Sequence, residues 1–333
     1  MRDNSIQNRY TTGRFTLPIV YIACTVGWII SAYYTPSNQY PFPSDNPIWN
    51  IISLQNLPAW ISQLGTYAIL SLVGYLLIQL NNQFTIITQR ATVQSTLFLL
   101  FITAIPQLHI IQPSIIIGFC FVCSTYFLFL SYKEWDSMRQ QFFAGVSMAI
   151  IFFMEPKTIL LFPIFLLSRI TFNCMNLRTL CATLLGFCMP IWFLLAHAIW
   201  HEQIELFYFP FTDLFSGHDL FNYHTLSWDQ LATWGYMVFI SLLAGGYLVF
   251  SRTKMRTRTR QMVNHFNRIA IYSIALTLLY PNILREIIPI WLISISFTYG
   301  YALMSNRDKL SNYLFMFSIS LLITLFCFNV WML

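Results

Sequence analysis

Apolar runs of about 20 residues, the length a helix needs to cross a bilayer core, follow one another along the chain with short polar stretches between them. They predict about eleven spans, near residues 15–34, 57–80, 92–107, 111–131, 141–155, 158–172, 179–200, 232–250, 268–280, 286–303 and 311–332. The third, fifth, sixth and ninth are short. The first follows a polar, basic start, MRDNSIQNRYTTGR. It has a span's length and no small-residue cleavage site, so it reads as a retained span and not a signal peptide. One stretch, FFMEPKTILLFPIFLLSRI (152–170), sets Glu155, Pro156 and Lys157 inside apolar sequence. Two charges and a helix breaker do not suit the centre of a span. They read as the turn between the fifth and sixth spans.

Composition sharpens the class. Charged residues make up 9% and the mean hydropathy is +0.60, against about 25% charged in soluble proteins. The charges then set an orientation. With the N-terminus inside, only Lys157 and Arg285 of the 18 Lys and Arg fall on outer segments. That asymmetry is the positive-inside pattern, and it requires the break at Glu155-Pro156-Lys157. Without it, every later loop inverts and the basic stretch SRTKMRTRTRQMVNHFNR (251–268) faces outward. The positive-inside effect and anionic lipid explain that stretch, so no nucleic-acid partner is implied. The acids Asp45, Glu155, Glu202, Glu205, Asp213, Asp219, Asp229 and Glu286, and five of the six histidines, fall outside. Titratable chemistry is therefore concentrated at the outer face.

Two outer loops are long. Residues 35–56 are turn-rich and then apolar enough for a short helix in the interface; residues 201–231 mix aromatics with acids and histidines. The seven cysteines avoid the outer segments, which argues against a disulfide framework. Cys120 and Cys123 form a CxxC inside an apolar run and read as ordinary buried cysteines. His197, His201 and Glu205 stand at i, i+4 and i+8, one face of a continuing helix and a spacing that suits a divalent metal. The other reading is a cluster of polar residues where a span exits. There is no Walker motif, no GxGxxG and no haem-binding CxxCH.

The segment FAGVSMAIIFFMEPKTILLFPIFLL (143–167) resembles a recurring segment of the GT-C glycosyltransferases, with Gly145, Pro156 and Lys157 at the matching positions. LREIIPIWLISISFTYGYAL (284–303) is similar to the family's late arginine and proline opening a span, through Arg285 and Pro289. The resemblance implies an all-α, polytopic GT-C-like fold in one integral membrane domain (1–333). It implies a multi-pass protein of the bacterial inner membrane, N-terminus cytoplasmic and C-terminus periplasmic. It also implies transfer of a sugar or related group from a polyprenyl-phosphate-linked donor at the outer face. Asp45, the one acid of the first outer loop, then takes the role of catalytic base, or alternatively makes an Asx-turn before Pro47. Lys157 and Arg285 take the lipid phosphate, or simply pair with Glu155 and Glu286. Tyr40 and Trp49 lie against the sugar. The sparse acids in the first loop suit a second reading, a non-catalytic scaffold or accessory subunit of an envelope assembly. A transporter is a third class, disfavoured because no matched pair of Gly/Pro-broken spans divides the chain into halves.

Overall fold

The computed structural model describes residues 6–13, 15–34, 46–51, 57–87, 92–215, 220–251, 255–305 and 309–332. These residues are helical with no strands. The helices are α1 (Ile6–Thr12), α2 (Thr16–Tyr34), α3 (Pro47–Ile51), α4 (Ala59–Phe84), α5 (Val93–Thr103), α6 (Pro113–Leu130) and α7 (Met138–Met154). They continue with α8 (Phe162–Thr171), α9 (Leu177–Trp200), α10 (Glu205–Leu214), α11 (Trp228–Ser251), α12 (Thr257–Leu279), α13 (Leu284–Ser305) and α14 (Lys309–Trp331).

Each of the eleven apolar segments contains a helix. Among the described residues, seven helical stretches are long and apolar enough to cross a membrane: α2, α4, α6, α9, α11, Pro281–Ser305 and α14. The chain is therefore a multi-pass, all-helical membrane protein. The remaining segments differ for physical reasons. At 1.5 Å per residue, α7 is about 26 Å long, just short of the bilayer core of about 30 Å. The ten residues of α8 give about 15 Å, to which the 3₁₀ run Pro156–Leu161 adds about 12 Å. Helix α5 has eleven residues, about 17 Å, and nearly every one of them is buried.

Burial divides the bundle. Helix α13 is buried on all sides and packs against α5, α6, α11 and α12. A helix apolar all round belongs in such an interior. Helices α2, α9 and α14 keep most of their apolar surface on the outside, where lipid serves as solvent. One continuous core runs from Val20 to Leu325, and a smaller cluster of Ile48, Phe152 and Phe153 lies under α3 and α10.

Two of the long connecting segments hold helix. The basic stretch 251–268 is not a loop throughout, because α12 starts at Thr257. It presents Met262, Val263, His265, Phe266 and Ile269 to the core, a helical spacing that averaged hydropathy conceals. The 201–231 loop holds α10 and the 3₁₀ turn Tyr223–Thr225.

Helices α7 and α9 approach at backbone contact. A Cβ on Gly145 would lie 2.3 Å from the Thr183 carbonyl oxygen, and one on Gly186 would lie 2.1 Å from that of Phe142. Glycine is what permits this crossing.

Candidate functional site

Helix α7 stops at Met154 because Pro156 removes a backbone donor and pushes the residue before it out of the helical region. Glu155 is extended, at φ −149° and ψ 102°. The break predicted at Glu155-Pro156-Lys157 is thus present. The freed carbonyls are capped from elsewhere: Asn46 Nδ2 donates to Phe153 O (2.7 Å) and Met154 O (2.8 Å). The Asn46 side-chain oxygen accepts from the Ile48 amide at 2.9 Å, which starts α3. One asparagine therefore pins the end of the first long loop to the end of α7.

Lys157 follows directly, and its side chain is buried. Its Nζ lies 3.7 Å from Asp213 Oδ1 and 5.8 Å from the centre of the Tyr280 ring. Asp213 sits in the last turn of α10, where the helix dipole disfavours an acid. The lysine compensates that placement. Lys157 also acts on the neighbouring Glu155 carboxyl, so the local pairing that adjacency suggests is joined by this longer-range one.

Helix α13 opens with Arg285 and Glu286 after the 3₁₀ turn Pro281–Ile283. Glu286 in the first turn is favoured by the helix dipole. It is half-buried, its buried Oε2 has no hydrogen-bond partner, and it interacts electrostatically with both Arg285 and Lys157. The charges of both cations read from sequence are therefore felt at one carboxylate. Glu155 completes the cluster. Burial, and after it the charges of Glu286 and Asp213, push its carboxyl up to about 8, with Lys157 opposing. At neutral pH Glu155 holds its proton, so it is a donor and not a second anion.

The other candidates fall elsewhere. Asp45 and Tyr40 lie outside the described residues; Asp45 immediately precedes Asn46. Trp49 is 2% exposed and packs into the main core, so its side chain does not face an open site. The rings of His197 and His201 stand 4.4 Å apart, but α9 ends at Trp200. The chain turns through Glu202 at φ 57° before α10 begins at Glu205. The i, i+4, i+8 face is thereby broken. Among the described residues no group of three His, Cys, Asp or Glu is placed to hold a metal ion. Sequence reasoning did not find the roles of Asp213, Tyr280 and Asn46. The one available signal was an acid flanked by aromatics in FYFPFTDLF.

Phe152 of α7 and Phe211 of α10 pack with their rings 5.7 Å apart, tying α10 to the end of α7. Chemically the cluster offers two cations, a protonated carboxyl and two further acids where five helices and turns meet. No protein-family model matches this chain, and no curated protein or solved structure matches it either.

Proposed function

We propose that the chain is a GT-C-like protein of the bacterial cytoplasmic membrane. It crosses about eleven times, N-terminus inside and C-terminus outside, and transfers a sugar or related group from a polyprenyl-phosphate carrier at the outer face. One observation carries this reading: the charges of Lys157 and Arg285 are both felt at Glu286, beside the point where Asn46 anchors the first outer loop. A lipid phosphate arriving there takes the place of Asp213 at Lys157 and gains the Arg285 guanidinium, which suits phosphate geometry. Protonated Glu155 donates to a phosphate oxygen. Asp45, one residue from the anchor, is the acceptor's base. With Trp49 in the core, Tyr40 is the aromatic left for the sugar.

The test is to purify the protein in mild detergent, extract its lipids and identify them by mass spectrometry. A polyprenyl-linked phosphate should accompany the wild type. It should be lost from Arg285→Met, and from Lys157→Met combined with Asp213→Leu, at temperatures where each variant remains folded. Turnover of a radiolabelled polyprenyl-phosphate sugar, lost in Asp45→Asn, completes the expectation. Bulk phospholipid alone, with no turnover, rejects it.

A second reading is a non-catalytic scaffold of an envelope assembly. The observation favouring it is that Lys157 is 4% exposed and already faces Asp213, as a purely structural ion pair would be. The same lipid extraction separates the two.

A further inference from the structure

Arg169 lies near the end of α8 and is 2% exposed. Its Nε, Nη1 and Nη2 are all buried, and none has a hydrogen-bond partner. A guanidinium carries five donors and does not shed its proton inside proteins. An ionised group without a counter-charge or partner is among the costliest things an interior can hold. Where a native structure leaves such a group, an ion or a water accounts for it.

The guanidinium lines a cavity of about 10 Å³ together with Ser124, Gln141, Ala144, Phe165 and Thr183. The hydroxyls there are engaged. Ser124 Oγ donates to Ala144 O, and Thr183 Oγ1 donates to Thr179 O. Gln141 Nε2 donates one hydrogen to Cys174 Sγ at 3.7 Å, and an amide carries a second. Cys174 Sγ in turn donates to Arg169 O at 3.5 Å, so it is a neutral thiol. No carboxylate lines the cavity. An uncompensated cation and a spare amide hydrogen lie beside this largely apolar space, which holds one small species. A phosphate or a lipid headgroup does not fit. A water would accept a hydrogen bond but would leave the charge uncompensated.

We propose that Arg169 and Gln141 hold a single chloride-sized monovalent anion where α6, α7, α8 and α9 meet. The site sits beside the glycine crossing, because Thr183 both lines it and sets its carbonyl over Gly145. The neighbouring Ser168 bonds His265 Nδ1 of α12 at 2.7 Å, and Gln261 Nε2 of α12 donates to Thr171 O at 2.7 Å. The short helix α8 is thereby fastened to α12 by hydrogen bonds, and to α6, α7 and α9 by the anion.

The experiment is thermal unfolding of the purified full chain while sodium chloride replaces sodium gluconate at constant ionic strength. The wild-type melting temperature should rise with chloride and saturate, as for any ligand that binds only the folded state. Bromide should substitute, and sulfate should not. Arg169→Met should lose the chloride response and be no less stable than wild type in gluconate. If that variant fails to fold, Gln141→Leu retains the cation and should weaken apparent chloride affinity about tenfold, the value of one hydrogen bond to a charged group. Chloride and gluconate giving the same wild-type curve would overturn the assignment. So would a response surviving Arg169→Met, or an unchanged affinity in Gln141→Leu.

Discussion

Adding one methyl group at the α7–α9 crossing should destabilise the protein far more than the same addition elsewhere on a helix. Gly145→Ala puts a Cβ 2.3 Å from Thr183 O and 3.1 Å from Phe187 N; Gly186→Ala puts one 2.1 Å from Phe142 O. Ordinary carbon–oxygen contacts begin a full ångström further out, and the obstructing atoms are backbone, so no rotamer change relieves them. The helices must separate by about 1 Å, and overpacking of this kind costs about 1–3 kcal/mol. A helical Gly→Ala change also gains about 1 kcal/mol of intrinsic propensity. Gly235→Ala and Gly246→Ala isolate that gain, since a Cβ at either meets nothing within 4 Å. The difference between the two pairs is then the overpacking cost. At about 2–4 °C per kcal/mol for a chain of this size class, the crossing variants should melt several degrees below the controls in detergent, followed by tryptophan fluorescence. The double variant should cost less than the two singles added, because one separation serves both. Equal melting temperatures for all four single variants would refute the crossing geometry.

The buried ion pair gives a second test. Lys157→Met should cost about 1–3 kcal/mol by removing the cation beside half-buried Asp213, while Lys157→Met with Asp213→Leu should recover most of it; a double-mutant cycle in melting temperature reads both, and equal losses would contradict the pairing. Asn46→Ala removes two hydrogen bonds from the end of α7 and should cost about 1–3 kcal/mol, with Asn46→Asp failing to rescue because it lacks the amide donors. Glu155 predicts a pH profile. Its folded carboxyl is raised to about 8 while the unfolded one ionises near its ordinary value of 4.5. The stabilising contribution is full below 4.5 and is lost as pH rises through 8. Wild type should therefore lose stability against Glu155→Gln across that window, and parallel melting profiles for the two proteins would reject the shift.

Much of the fold was legible because its rules are local. A bilayer fixes the length of an apolar run, so every predicted segment contains a helix, and Pro156 determines the end of α7 through its own ring. The misses share a different cause. The start of α12 was hidden because RTRQMVNHFNR averages to a polar stretch, although its apolar positions recur at helical spacing and face the core. The end of the 179–200 span coincides with the end of α9 at Trp200. The metal face needs that helix to run on to Glu205, and it does not form because Glu202 takes the left-handed conformation without the glycine or asparagine that usually announces it.

The charged cluster shows where local reading stops. Counting Lys and Arg by side singled out Lys157 and Arg285, and both belong to one site, since the cost of a charge at membrane depth forces such residues together. Adjacency finds only part of their surroundings. Asp213, delivered by a helix that forms inside a predicted loop, also meets Lys157. Glu155 is pushed toward its protonated form by burial and by two other acids, against the opposing charge of Lys157. The stretch that looked like a misplaced charge pair inside a span is thus a neutral acid and a cation whose counter-ion comes from α10. A site with a neutral acid and two cations accepts an anion more readily than one with three ionised carboxylates. Protonation of Glu155 therefore governs both the net charge of this cluster and the pH profile of stability.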